Sequence, residues 1–225
     1  MTNSKKLFFS FIIIAVSASK AAVTSELNKN ADYKNFGIIL SGPSGVGKTT
    51  VITELQKSHP ELIVSISATT RMPRKGEING QSYYFIDRIK FQELARKDEF
   101  MEYTENYGNY YGSPKRNYIE AMENGKDIIF TLSPEGMRKA LKNKKMDFVT
   151  IFLNATSEEI IIDRLKKRNT DTEAQISKRT ANIKQETATA QQYDYVIYND
   201  DIKHVVNNIE AIYLAEKWKR RHVCK

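Results

Sequence analysis

Three observations predict an α/β fold built on a P-loop-type core with a mainly parallel sheet: an apolar strand runs straight into a glycine-rich turn and a helix, a second strand–helix unit follows far downstream, and a third strand closes the series. The first unit is Gly37-Ile38-Ile39-Leu40, then Gly42-Pro43-Ser44-Gly45-Val46-Gly47-Lys48-Thr49, then Thr50-Val51-Ile52-Thr53-Glu54-Leu55. The second is Phe148-Val149-Thr150-Ile151-Phe152-Leu153, read as a buried strand, with Ser157 to Lys167 as its helix. Tyr195-Val196-Ile197-Tyr198 reads as the last core strand, ended by an Asn199-Asp200 turn. With 225 residues, 40% of them hydrophobic, the chain can bury one full core. Neither an internal repeat nor a low-complexity linker interrupts it.

The first turn carries the chemistry. Its glycines let the backbone wrap a phosphate chain, and N–H groups at the start of the following helix face the anion. Lys48 supplies a cation and Thr49 a hydroxyl for Mg²⁺. The segment Gly42 to Thr50 is therefore the expected ATP site, with Lys48 acting on the phosphates and Thr49 as the protein ligand to Mg²⁺.

A second anion site is legible in the stretch Ser65 to Gly125, which is rich in tyrosine and charge and lacks the strand–helix alternation. It contains Ser67, Thr70-Arg71-Met72-Pro73-Arg74-Lys75-Gly76-Glu77, Asn79-Gly80-Gln81-Ser82-Tyr83-Tyr84-Phe85, Glu102 and Gly108-Asn109-Tyr110-Tyr111-Gly112-Ser113. Two arginines three apart, with tyrosine hydroxyls nearby, suit the phosphate of an acceptor. Taken alone, Arg71 and Arg74 would be ordinary solvated charges.

In context, this stretch resembles the GMP-binding segment of guanylate kinases nearly residue for residue, and the resemblance extends from about Gly37 to about Trp218. It implies a guanylate kinase-like domain over residues 35–218, with a GMP-binding subdomain at about 65–125 that has its own small antiparallel sheet, and a helical lid at about 164–190. Arg71, Arg74, Tyr83 and Tyr111 would hold the GMP phosphate, and Glu77 belongs to the same motif. Ser67, Glu102 and Ser113 would face the guanine, whose N1–H and N2–H donors and O6 acceptor call for a carboxylate on one edge and a hydroxyl on the other. Arg164, Arg168 and Arg179 resemble the lid arginines that neutralise charge on the phosphoryl group in flight. Asn199 would border the adenine of ATP. The implied reaction is transfer of the γ-phosphoryl of MgATP to GMP.

One segment departs from the family pattern. Where guanylate kinases carry Leu-Asp-Ile-Asp, this chain reads Phe130-Thr131-Leu132-Ser133, followed by Pro134-Glu135-Gly136. Counting from Ser113 puts Thr131 near the Mg²⁺ and phosphates and Ser133 at the amino edge of guanine. A lost charge-assisted hydrogen bond costs about 1.5–3 kcal/mol, so weakened catalysis is expected. Two alternatives follow: a guanylate kinase-like binding module with little or no catalysis, and a related P-loop kinase acting on another phosphorylated acceptor. Intact Gly47, Lys48 and Thr49 argue against the first, and retained Ser67, Arg71, Arg74, Glu77, Tyr83, Glu102 and Ser113 against the second.

The net charge is +8. Anionic substrates account for several of the arginines, and no aromatic-interleaved basic strand accompanies them, so nucleic acid is not an expected partner. Residues 219–225 form a short basic tail. The lone Cys224 excludes an intrachain disulfide. At the other end, Lys5 and Lys6 precede the apolar run Leu7 to Val16 and the small residues Ser17-Ala18-Ser19, the parts of a secretory signal in residues 1–22. Membrane contact is expected only through this segment if it is not cleaved. The resemblance implies a cytoplasmic enzyme, whereas the segment implies export or membrane targeting, unless it is an upstream extension from a misplaced start codon. The sequence gives no oligomeric state.

Overall fold

The computed structural model describes residues 33–167 and 173–221. The signal reading of residues 1–22, the end of the basic tail and Arg168 lie outside the described residues. Among those described, no helix is long and apolar enough to cross a membrane. Asn35–Glu216 form one compact unit. The described part of the other unit is Tyr33, Lys34 and residues 217–221, in which the Lys217 ammonium lies 4.8 Å over the Tyr33 ring.

The first strand, β1 (Gly37–Ser41), is buried at all five positions, as expected of an apolar run covered on both faces. Together with β2 (Ile63–Val64), β7 (Ile128–Thr131), β8 (Phe148–Asn154) and β9 (Tyr195–Tyr198) it makes a five-stranded sheet in the order β2-β7-β1-β8-β9. Every pairing in it is parallel. Helix α1 (Lys48–Ser58) leaves the glycine-rich turn, and α4 (Pro134–Ala140), α5 (Glu158–Lys167), α6 (Glu173–Thr187) and α7 (Ile202–Arg221) complete this part of the chain. Ile39, Phe130 and Phe152 from three adjacent strands pack with Met137 and Ala140 of α4 in one buried cluster. Behind the sheet, buried Asp127 accepts from the Phe36 N–H at 3.0 Å and from the Tyr213 hydroxyl at 2.9 Å, which fixes α7.

A second sheet holds β3 (Ala68–Thr69), β4 (Tyr84–Phe85), β5 (Phe100–Asn106) and β6 (Asn109–Pro114) in the order β4-β3-β6-β5. It is mixed rather than antiparallel throughout, because β3 and β4 run parallel. The long connection from Thr70 to Tyr83, which carries the arginines, crosses over and brings the chain back in the same direction. Helix α2 (Arg88–Arg96) is capped by Asp87, whose carboxylate accepts from the Lys90 N–H at 2.7 Å. Phe91 of α2 stacks on Phe100 at 4.5 Å to close a small separate core. Helix α3 (Lys115–Glu123) returns the chain to the central sheet. Along β5, Phe100, Glu102 and Thr104 are buried, with a shift of register between Phe100 and Glu102 that pairs Glu102 with Ser113 of β6.

Candidate active site

The turn between β1 and α1 is held open by backbone that other residues reject. Gly42, Gly45 and Gly47 have φ of 147°, 92° and 108°. A Cβ on Gly42 would meet the Leu153 carbonyl oxygen at 2.1 Å, and one on Gly47 would meet Asn199 Nδ2 at 2.6 Å. Two side chains far away in sequence brace the loop from outside: Asn199 Nδ2 donates to the Val46 carbonyl at 2.6 Å and Arg164 Nη1 to the same oxygen at 2.9 Å. Arg164 also donates to the Asn199 carbonyl at 3.2 Å. Arg164 thus holds the loop in this structure, and Asn199 is 5% exposed beneath it. The Lys48 ammonium curls over the loop to the carbonyls of Gly42, at 2.6 Å, and Pro43, at 3.1 Å. Thr49 and Thr50 are exposed at the start of α1.

Arg179 on α6 reaches the same loop, where its guanidinium donates to Ser44 Oγ at 2.8 Å. Two helical turns later, half-buried Glu186 faces Lys48, Arg179 and the Ser44 N–H; burial raises its carboxyl above the ordinary range despite the opposing pull of these three groups. Glu186 was not singled out from the sequence. Its seven-residue spacing from Arg179, which puts both on one face of a helix, is the signal that could have found it.

The second cluster is built around an ion pair. Arg71 donates both arms of its guanidinium to Glu77, at 2.9 and 2.8 Å, and the Glu77 carboxylate also accepts from the Arg74 N–H at 2.7 Å. Partial burial works against the charge on Glu77, but Arg71 and the Arg74 backbone prevail and hold its carboxyl below the ordinary range. Glu77 therefore orients Arg71 in a fixed fork. The Arg71 guanidinium lies 5.5 Å from the Tyr83 ring centre, and Tyr83 meets Tyr111 edge-on at 6.1 Å. Burial, then the neighbouring Tyr111, raises the Tyr83 phenol, so it stays a neutral donor.

Between the two sheets' elements lies a buried carboxylate. Glu102 is 7% exposed, accepts from Ser113 Oγ at 2.9 Å, and has Ser67 Oγ a further 3.5 Å from Ser113 Oγ. Its other oxygen lies against Gly136, where a Cβ would meet Glu102 Oε2 at 2.6 Å. Burial pushes the Glu102 carboxyl up to about 7, against the weaker pull of Ser113 and Lys139. Such a group, half protonated near neutrality and lined by hydroxyls, is matched to a flat ligand presenting N–H donors. Ser133 is placed close by, but its hydroxyl is engaged as the N-cap of α4, accepting from the Gly136 N–H at 3.1 Å.

The guanylate kinase family model matches residues 34–216. The chain belongs to the guanylate kinase family. Among relatives, a guanylate kinase of Carboxydothermus hydrogenoformans is 44% identical over 191 residues, covering 85% of this chain and 93% of that protein. One from Rickettsia felis is 43% identical, covering 83% and 97%. The crystal structure of guanylate kinase from Anaplasma phagocytophilum superposes with a TM-score of 0.68 at 30% identity, over 83% of this chain and 88% of that one.

Relative to the guanylate kinase pattern, the departure at Thr131 and Ser133 falls where β7 ends and α4 begins. Thr131 ends β7, paired with Leu40 of β1, and is half-buried. Ser133 followed by Pro134 is a helix start, with Pro at the first helical position and Ser at the cap. Among the described residues no group of three or more His, Cys, Asp or Glu could hold a metal ion. The oxygen donors that are present, the exposed Thr49 hydroxyl above all, fit a Mg²⁺ that arrives with a nucleotide and keeps most of its shell from phosphate and water.

Proposed function

We propose that the chain catalyses transfer of the γ-phosphoryl group of MgATP to GMP, giving ADP and GDP. The observation that supports this is the buried Glu102–Ser113 pair, the Arg71–Glu77 fork and a P-loop with its lysine: the first suits N–H donors of a base, the second a phosphate and the third a separate phosphate chain. In this reading Gly42 to Thr50 hold the triphosphate, Arg71, Arg74, Tyr83 and Tyr111 the GMP phosphate, and Glu102, Ser113 and Ser67 the guanine. Asn199 and Arg164 keep the P-loop in shape.

The reaction needs no general base, because the attacking phosphate oxygen of GMP is already ionised. That oxygen forms a bond to the γ-phosphorus in line with the β,γ-bridging oxygen, whose bond breaks with its electron pair left on ADP. Lys48 and Arg179 neutralise the equatorial oxygens as charge spreads onto them. A Mg²⁺ arriving with ATP would be held by the Thr49 hydroxyl and would supply further positive charge to the phosphates. Thr131, without the family's carboxylate, can donate a hydrogen bond to a phosphate or to a metal-bound water.

A coupled assay of ADP formation with MgATP and each nucleoside monophosphate tests the proposal. GMP is preferred over AMP, since adenine N1 has no proton for Glu102. Comparable kcat/KM for the two overturns the base-pocket assignment, and unchanged turnover in Lys48→Ala overturns the assignment of the P-loop.

A further inference from the structure

The hairpin joining β5 to β6 turns at Tyr107-Gly108, with Asn106 paired to Asn109 across it and φ of 52° and 77° at the two central positions. Positive φ at both is the signature of a type I′ turn, whose first position ordinarily goes to Asn, Asp or Gly. A tyrosine there is strained, and nothing in the hairpin itself asks for one. What the aromatic side chain touches lies elsewhere: the Arg179 guanidinium sits 5.6 Å from the centre of its ring, and Asn182 Nδ2 donates to its hydroxyl at 3.4 Å. Arg179 and Asn182 are three residues apart on α6, hence neighbours on one face. The same Arg179 donates to Ser44 of the P-loop. One strained residue at the tip of the acceptor-binding hairpin thus stands against the helix that carries the phosphate-neutralising arginine.

We infer that Tyr107 is a positioning residue: it seats α6 on the hairpin tip and holds the Arg179 guanidinium over the P-loop, so that closure of the acceptor-binding sheet and delivery of that arginine are one event. The inference rests on the phosphoryl-transfer reading above for its kinetic consequence, but not for its structural one. The ring supplies a face for the guanidinium, a contact that strengthens as water leaves the site. The hydroxyl fixes the rotation of α6 through Asn182. The backbone strain is tolerated because the turn must present a large aromatic side chain at this point.

The test separates positioning from folding by using the residue the turn prefers. Tyr107→Asn relieves the strain, so its melting temperature equals or exceeds that of the unaltered protein, while kcat falls about tenfold, equivalent to about 1.4 kcal/mol in the barrier. Binding of GMP alone, measured calorimetrically, stays within about twofold, because no group proposed to touch GMP is altered. Tyr107→Phe keeps the ring and loses the hydroxyl; it lowers kcat by about two- to threefold, as does Asn182→Ala, and the double variant is no worse than either single one. Independently of activity, amides of α6 exchange several-fold faster in Tyr107→Asn with no nucleotide present. Unchanged kcat and unchanged α6 exchange in Tyr107→Asn overturn the inference, as does a loss of kcat matched by an equal loss of melting temperature and GMP binding. Absence of transfer to GMP in the unaltered protein, with the exchange difference still present, would instead refute the catalytic reading and leave the clasp standing.

Discussion

The carboxyl of Glu102 gives the proposed base pocket a pH signature. Burial holds it at about 7, whereas guanine N1–H and N2–H require the ionised form. GMP binding must therefore expel a proton. At pH 7 about half of the ligand-free protein carries that proton, so binding releases about 0.5 proton per GMP. The GMP phosphate, with a second ionisation near pH 6 like that of other phosphomonoesters, accounts for only about 0.1. From about pH 8 to about pH 6 the pocket's share of the affinity falls about tenfold, or about 1.4 kcal/mol, whereas an ordinary carboxylate would change it by only roughly 2%. Calorimetric titration of GMP in two buffers of different ionisation enthalpy reads the proton count directly. The stability of the ligand-free protein runs the opposite way with pH: a carboxyl raised in the folded state contributes stability that is present below about pH 4.3 and is lost as the pH rises through about 7. Glu102→Gln, which cannot ionise, consequently raises the melting temperature at about pH 8, leaves it nearly unchanged at about pH 4, and abolishes the excess proton release. Proton release of about 0.1 or less at pH 7 would refute the reasoning.

Gly136→Ala, at a helix position where alanine is ordinarily worth about 0.5–1 kcal/mol, instead weakens GMP binding at least about tenfold, because its Cβ would lie 2.6 Å from Glu102 Oε2; calorimetry with GMP decides, and an unchanged affinity contradicts the pocket's geometry. Ser133→Asp preserves the cap of α4 but brings a second carboxylate beside Glu102, so its gain in GMP affinity, about tenfold at about pH 8.5, shrinks toward nothing by about pH 7; an equal gain at both pH values means the two groups do not interact. Glu77→Gln unlocks the Arg71 fork and raises the KM for GMP by about tenfold with kcat little altered, as steady-state kinetics will show; a KM within about twofold of the original would mean Arg71 needs no partner.

Features confined to short stretches of chain were legible. The P-loop could be read because its glycines, Lys48 and Thr49 are sequence neighbours, and β1, β8 and β9 because apolar runs bounded by turns allow little else. The resemblance singled out Glu102, and its burial on β5 between Phe100 and Thr104 follows the strand. What escaped depends on distant segments meeting. Arg164 and Asn199 converge on one oxygen, that of Val46, from sequence separations of 118 and 153 residues, so no local pattern announces that they brace the loop. The parallel pairing of β3 with β4 was hidden because two-residue strands carry no periodicity. The cap formed by Ser133 was legible but went unread: Ser-Pro at a helix start announces it. Tyr107 looked like one more aromatic in a tyrosine-rich segment, since the lid residues it touches are remote in sequence.

The most direct measurement is to incubate the full chain with Mg²⁺, GMP and ATP labelled at the γ-phosphorus, and to separate the nucleotides. The account predicts label at the β-phosphate of GDP, at a rate far above that with AMP, and none with Lys48→Ala. Label released as inorganic phosphate, or transferred equally well to AMP, would contradict it.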